Sequence, residues 1–262
     1  MSRYIDTIKE IYDYRTMIAS LIHREVRGKY KGSVLGIFWA YLNPLLMLLV
    51  YNFVFSVIIK MGIEQYYIHL FVVLIPWQFF ADSVNRGAVC ILENKDMIKK
   101  IYFPRFVIPL AHVASCFVTM MMGMVPVFLV IFISGRGVKV SLLPYLIPIL
   151  LAEFLLALGI CLIVSALTVY IKDLRFIMNV LIVAWQFMSP IVYPISRVPE
   201  KYMSLYMLNP VAPVVTCIRS ILYFKEMPDL TVLYQTYGYA IVCIIAGWVI
   251  FEKLQRHFVE EL

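Results

Sequence analysis

The sequence predicts an all-α integral membrane protein: one domain of six transmembrane helices, with an N-terminal amphipathic interfacial helix and short re-entrant helices between spans five and six. Three observations carry that expectation. Hydrophobic residues make up 63% of the 262 and charged residues 15%, against roughly 45–50% and about 25% in ordinary soluble domains. Mean hydropathy is +0.87, more apolar surface than a water-soluble core of this size can hide. The apolar residues also gather in runs of about 20, the number a helix rising about 1.5 Å per residue needs to cross a hydrocarbon core about 30 Å thick. These figures exclude a soluble enzyme, a disordered tail and a disulfide-built module.

Along the chain, residues 1–32 come first. Ile5, Ile8, Ile11, Tyr12, Ile18 and Ile22 recur at helical spacing with Lys9, Asp13 and Arg15 between them. That pattern fits a helix lying on the membrane surface, or one packed on a partner. Gly28, Gly32 and Gly36 repeat every fourth residue. Such a repeat lets helices approach closely inside a span; here two of the three lie in basic sequence and are expected to shape the bend into the first span. The spans are expected at residues 34–59, 68–81, 106–133, 142–171, 176–192 and 237–251. The bundle thus occupies 34–251 of a single domain over 1–262, and 252–262 forms a tail. Pro44, Pro76, Pro126 and Pro148 lie inside these runs, where neighbouring helices can re-satisfy the freed backbone groups. The connection after span five carries Pro194, Pro199, Pro210, Pro213 and Pro228 yet keeps apolar pieces at 211–215 and 218–224. These are too short to span and are read as re-entrant or interfacial helices.

Lysine and arginine set the orientation. Sixteen fall before span one, after spans two and four, and in the C-terminal tail; seven fall in the other connections. The richer side is cytoplasmic, so both termini are expected there. The net charge of +7 is topogenic on this reading, with no nucleic-acid partner, because the basic residues flank apolar runs and do not gather on a soluble face. Five cysteines are scattered without a C-x-x-C pair, so no metal site or disulfide framework is expected. No cleavable signal peptide is visible, since the first long apolar run starts late and is too long for one.

Catalytic constellations are sparse. The chain carries no Walker A, G-x-G-x-x-G or H-E-x-x-H sequence, and His23, His69, His112 and His257 are far apart. Glu153 is the one carboxylate placed within a predicted span. It reads either as part of a polar pathway or as a structural hydrogen bond. Residues 92–109, LENKDMIKKIYFPRFVIP, alternate Glu93, Lys95, Asp96, Lys99 and Lys100 with Met97, Ile98 and Ile101. A short amphipathic helix ended by a proline break is expected on the cytoplasmic side: a lever for a soluble partner, or a solvated loop with an interfacial helix.

Four blocks in order carry a resemblance. They are RGKYKGSVLGIFWAYLNPLLMLLVYNFVFSV (27–57), NKDMIKKIYFPR (94–105), VYIKDLRFI (169–177) and SPIVYPISRVPEKYMSLYMLNP (189–210). Together they resemble the permease subunit of polysaccharide ABC exporters, the type-2 group that includes O-antigen and wall teichoic acid exporters, from about Arg15 onward. The resemblance implies a non-enzymatic transporter subunit of the inner membrane. It would work as a homodimer with two separate ATP-binding cassette subunits, exporting an undecaprenyl-linked polysaccharide. ATP and Mg would belong to the partner, with no cofactor in this chain. Coupling to that partner falls on Glu93, Asn94, Lys95, Asp96, Lys99 and Lys100, and the re-entrant pieces become an outer gate.

A sugar chain has apolar faces and hydroxyl rims, so aromatic rings with polar neighbours suit its path. Phe38, Tyr41, Tyr51, Asn52 and Phe55 in span one, Glu153 in span four, and Trp185, Gln186, Ser189 and Tyr193 in span five are the channel candidates. The alternative for the aromatics is packing between spans or interfacial belts. Arg24, Arg27, Lys29 and Lys31 are candidates to attract the pyrophosphate of the carrier, or serve topology and anionic headgroups. A drug or small-lipid exporter, an enzyme acting on polyprenyl-linked sugars, and a non-transporting scaffold are the competing functions.

Overall fold

The computed structural model describes residues 10 and 12–262; the expectations for Arg3, Ile5, Ile8, Lys9 and Ile11 lie outside the described residues. All regular structure among the described residues is helical. The first helix, α1 (Arg15–Tyr30), half-buries a stripe of Met17, Ile18, Leu21, Glu25 and Lys29 along α6 (Val107–Ile133). The amphipathic pattern is thus spent on packing against the chain's own third span. Gly32 and Gly36 take left-handed backbone angles, φ +82° and +51°, which glycine adopts without steric cost, and they turn α1 into the first span. Gly28 sits at an ordinary helical position.

A 3₁₀ turn, α2 (Trp39–Asn52) and a π-wound turn (Phe53–Ile58) make one apolar rod, Gly36–Ile58. Then come α3 (Tyr66–Asn85), an elbow of α4 (Cys90–Glu93) and α5 (Lys95–Lys100), α6, and α7 (Leu143–Tyr170). They are followed by α8 (Leu174–Phe187), α9 (Glu200–Met207), α10 (Val211–Arg219), α11 (Leu230–Leu254) and a last turn, α12 (Phe258–Glu261). The core is built around α3, in which Ile68, Leu70, Val72 and Phe80 are fully buried.

Hydrogen bonds sort the connections to two ends. At one end Arg24 of α1 donates to Asn94 in the elbow at 2.7 Å, the Tyr170 hydroxyl donates to the Leu254 carbonyl at 2.8 Å, and Arg105 donates to the Gln255 carbonyl. At the other end the Tyr223 hydroxyl donates to the Glu64 carbonyl at 2.6 Å, and Arg136 donates to Gln65 at 3.3 Å and to the Tyr223 carbonyl at 3.2 Å. The described beginning and the end of the chain therefore share the end that holds the elbow.

Five helices among the described residues are long and apolar enough to cross a membrane: Gly36–Ile58, Tyr66–Glu93, Val107–Ile133, Val140–Tyr170 and Leu230–His257. The expected fifth span at 176–192 is not one of them. Its helix, α8, has 14 residues, about 21 Å at the helical rise, because Pro190 disfavours helical backbone in the residue before it. The chain nevertheless continues beside α3. Asn85 donates to Asn179 at 2.8 Å, Phe80 meets Trp185 edge-on at 5.1 Å, and the Tyr66 hydroxyl donates to the Val192 carbonyl at 2.7 Å. Residues 174–192 thus run antiparallel to α3 over its length. Ser189, Ile191 and Val192 are buried in protein, the setting in which irregular backbone is tolerated at such depth.

The two apolar pieces expected between the last spans form one element, α10 continued by a π-wound turn (Ser220–Phe224). With α9 it makes a hairpin that dips into the bundle, its tip at Asn209–Pro210. The Tyr239 hydroxyl, well inside α11, reaches the Met207 carbonyl at 2.8 Å. At the other end of α10 the buried Arg219 donates to the carbonyls of Ile191 at 2.9 Å and His69 at 3.3 Å. The final span starts seven residues before the expected 237, because Asp229 caps it by accepting from the Thr231 amide at 2.8 Å. It packs backbone to backbone on α7: a Cβ on Gly247 would fall 2.2 Å from the Gly159 carbonyl oxygen.

Candidate functional site

Three groups of expected site residues fall in three places. The elbow after α3 is pinned from within, since a Cβ on Gly87 would lie 2.4 Å from Cys161 Sγ. Beyond it α5 turns Ile98 inward and leaves Lys95, Asp96, Lys99 and Lys100 exposed, with Glu93 exposed just before it. Asp96 in its first turn and Lys99 and Lys100 in its last suit the helix dipole. Ile101 and Tyr102 follow in the open, Tyr102 at 98% exposure. The result is a short helix with charge of both signs, followed by exposed apolar side chains and joined through short connections to α3 and α6. Asn94 stands apart from that outward set. It is half-buried; its side-chain oxygen accepts from Arg24, and its nitrogen donates to the Cys90 carbonyl at 2.8 Å.

The channel candidates divide as well. Gln186 donates to the Tyr51 hydroxyl at 2.9 Å, joining α8 to α2. Tyr51 stacks on Phe55 at 6.2 Å, and Phe55 tilts onto Tyr66 of α3 at 6.1 Å. Phe38 is open and lies beside half-buried Tyr41 at 6.4 Å. Asn52 has a buried side-chain oxygen without a hydrogen-bond partner among the described residues. Trp185 and Ser189 instead hold the hairpin tip. The Trp185 indole donates to Asn209 at 2.8 Å, Asn209 donates to Ser189 at 2.8 Å and to the Met188 carbonyl at 3.0 Å, and the Asn209 oxygen also takes the Val211 amide at 3.0 Å. Tyr193 donates to the Phe187 carbonyl at 2.6 Å. Glu153 is fully buried in α7, and among the described residues neither of its oxygens has a hydrogen-bond partner; the structure brings it to none of the other candidates.

The four basic residues at the elbow end separate by helix face. Arg24, Arg27 and Lys31 line an open groove of about 1160 Å³ with His23, Ser20 and Ile37, and among the described residues no carboxylate lines it. Lys29 faces the bundle, 4.0 Å from the Asp82 carboxylate and 3.8 Å from Cys116 Sγ.

That inward face carries a cluster the sequence pattern does not announce. Glu25 accepts from His112 Nδ1 at 2.9 Å and from the Ser115 hydroxyl at 2.7 Å. Burial works to raise the Glu25 carboxyl pKa, but the hydrogen bond and charge of His112, with help from Ser115 and Lys29, outweigh it and hold the group below its usual range. Asn209 is the other residue missed. The Asn-Pro dipeptide is a turn signal, and it alone could have placed the hairpin tip.

The family model described as "ABC-2 type transporter" matches residues 16–223. The chain belongs to the ABC-2 type transporter family. Among curated relatives, this ABC-2 chain is similar to the O-antigen export system permease protein RfbA of Myxococcus xanthus, 31% identical over 98% of this chain and all of that one. It is similar to the RfbA protein of Klebsiella pneumoniae, 29% identical over 94% of this chain and 95% of that one. It is also similar to the polysialic acid transport protein KpsM of Escherichia coli, 24% identical over 78% and 80%. ABC-2 membership agrees with the resemblance read from the four sequence blocks and with the all-helical, multi-pass architecture.

Proposed function

We propose that this chain is the membrane-spanning half of an ATP-driven exporter. As a homodimer bound to two separate ATPase subunits, it moves a lipid-linked cell-surface polysaccharide across the cytoplasmic membrane. The observation that supports this most is the end-to-end correspondence with a protein named as an O-antigen export permease, which covers 98% of this chain. On this reading the chain crosses six times, the fifth pass being α8 and the buried turn after it, and both termini lie with the elbow in the cytoplasm. The exposed charges of α5 meet the ATPase, which holds ATP and Mg and supplies the work. The groove lined by Arg27 and Lys31 takes the pyrophosphate of the undecaprenyl-type carrier, since cations with no carboxylate beside them among the groove's described residues favour an anion. Tyr51 and Gln186, with Phe55 and Asn52 beside them, offer stacking faces and hydroxyl partners to sugars passing between two copies.

The deciding experiment reconstitutes the chain with its ATPase subunit in vesicles and follows a lipid-linked glycan across the bilayer. ATP-dependent transfer by the complex, and none by the chain alone, is the expected result. Modification of a lipid-linked saccharide or hydrolysis of nucleotide by the isolated chain would overturn the proposal. Neutralising Arg27 and Lys31 is expected to weaken binding of a pyrophosphate lipid while insertion stays intact; unchanged affinity would remove the groove from the scheme.

A further inference from the structure

We propose that Arg24 and Glu25, consecutive residues of α1, form a strap that carries movement of α5 into α6, making α1 a transmission element between the gripped helix and the bundle. This rests on the reading that an ATPase subunit drives the chain through α5.

The strap has two ends of different character. At the solvent end Arg24 Nη2 donates to Asn94 Oδ1 at 2.7 Å, and Asn94 Nδ2 donates to the Cys90 carbonyl at 2.8 Å. Asn94 is the single residue between α4 and α5, so α1 holds the elbow at its bend. At the buried end Glu25 takes two hydrogen bonds from α6, from His112 at 2.9 Å and from Ser115 at 2.7 Å. One turn further on, Lys29 stands beside Asp82 near the end of α3. Neighbouring residues of one helix thus bind the elbow and the root of the third span.

The backbone that leads into the elbow is closely packed: a Cβ on Gly87, three residues before α4, would lie 2.4 Å from Cys161 Sγ of α7 and 3.6 Å from Cδ2 of His112, the histidine that Glu25 holds. The buried, charge-assisted end is the stiffer one. The exposed hydrogen bond to Asn94 is the one that decides whether α1 follows α5. Arg24 is therefore a positioning residue, and its charge is engaged with the elbow although it also lines the open groove.

Spatial adjacency alone does not demonstrate coupling, so the test separates force transmission from both folding and charge. In the reconstituted complex, Arg24→Ala and Glu25→Gln are each expected to leave ATP hydrolysis within about twofold and to cut glycan exported per ATP about tenfold, in the range of ordinary coupling energies. Their double variant is expected to be no worse than the worse single, because both interrupt one path. In Arg24→Cys/Asn94→Cys, bridging the two thiols with a short, reducible bifunctional thiosulfonate is expected to restore export per ATP, and reductant to abolish it again. The bridge carries no cation, so restoration separates linkage from attraction of an anionic lipid. Export that stays low after bridging, or hydrolysis that falls in step with export, overturns the strap. Failure of the unsubstituted complex to export at all would instead overturn the function proposed above.

Discussion

The first and second spans are both apolar rods, and they live in opposite surroundings. In the most apolar stretch of Tyr66–Glu93, 78% of residues are buried; in that of Gly36–Ile58, 11% are. The less apolar of the two is the buried one, with mean hydropathy 1.4 against 1.8. In water that order would be reversed. In a bilayer the lipid is as apolar as leucine, so hydrophobicity gives no drive between helices, and close packing with occasional polar groups decides what lies inside. The second span accordingly buries His69 and Ser83. The first buries one narrow stripe, Ala40, Pro44 and Leu48, at every fourth residue. Its remaining apolar faces are left largely exposed.

The sharpest way to break this contrast is a pair of matched truncations. Phe80, fully buried in α3, is expected to cost about 3–5 kcal/mol when changed to alanine. Phe53, 58% exposed at the end of the first rod, is expected to cost less than about 0.5 kcal/mol. Chemical unfolding of the detergent-solubilised protein measures both, and similar costs would mean the first span is core after all. A second pair asks the same of glycine. Gly247→Leu drives a side chain into the Gly159 backbone and is expected to cost about 3 kcal/mol by overpacking. Gly238→Ala, with nothing within 4 Å, is expected to be neutral or to gain up to about 1 kcal/mol from helix propensity.

This contrast also separates what was legible in the sequence from what was not. Long apolar helices are legible because a chain crossing lipid must satisfy its backbone within each segment, and the third and fourth spans fall where the apolar runs put them. Ends are harder. Gln235 and Thr231 dilute the hydropathy of the last span although Asp229 caps it, and Pro190 shortens the fifth helix without ending its course beside α3. Which rod is buried was not legible at all, since both read as apolar all round. The Glu25–His112 pair spans 87 residues, and no local pattern links its members. Among the site residues, the exposed charges of α5 were readable from their alternation with apolar positions. The inward turn of Lys29 and the tip role of Asn209 depend on partners supplied by distant helices.

Asn209 gives an intermediate test, at the boundary between buried and exposed regions. Its side chain uses both amide hydrogens and accepts twice at its oxygen. Asn209→Leu strands the Trp185 indole and the Val211 amide and is expected to cost about 2 kcal/mol, the penalty for buried groups left unpaired. Trp185 fluorescence should shift with the loss of its hydrogen bond. A variant as stable as the parent, with unchanged fluorescence, would mean the hairpin tip is not held at that depth.

The smallest effect belongs to a bond between two helices that bury few of their residues. Gln186 and Tyr51 are half-buried and link α8 to α2. Interhelical side-chain hydrogen bonds in membranes average about 0.6 kcal/mol, and a double-mutant cycle of Gln186→Leu with Tyr51→Phe is expected to return a coupling of that size. So small a value matters because of where it acts. A bond of a few kcal/mol would lock α2 to α8, whereas one near thermal energy would let the two rods part for a bulky chain, as the proposed function requires. The variants are therefore expected to keep their stability within about 1 kcal/mol while export per ATP changes. A loss of 3 kcal/mol or more would put the pair in the fixed core with α3, and the division between a rigid centre and a yielding wall would fail at its weakest seam.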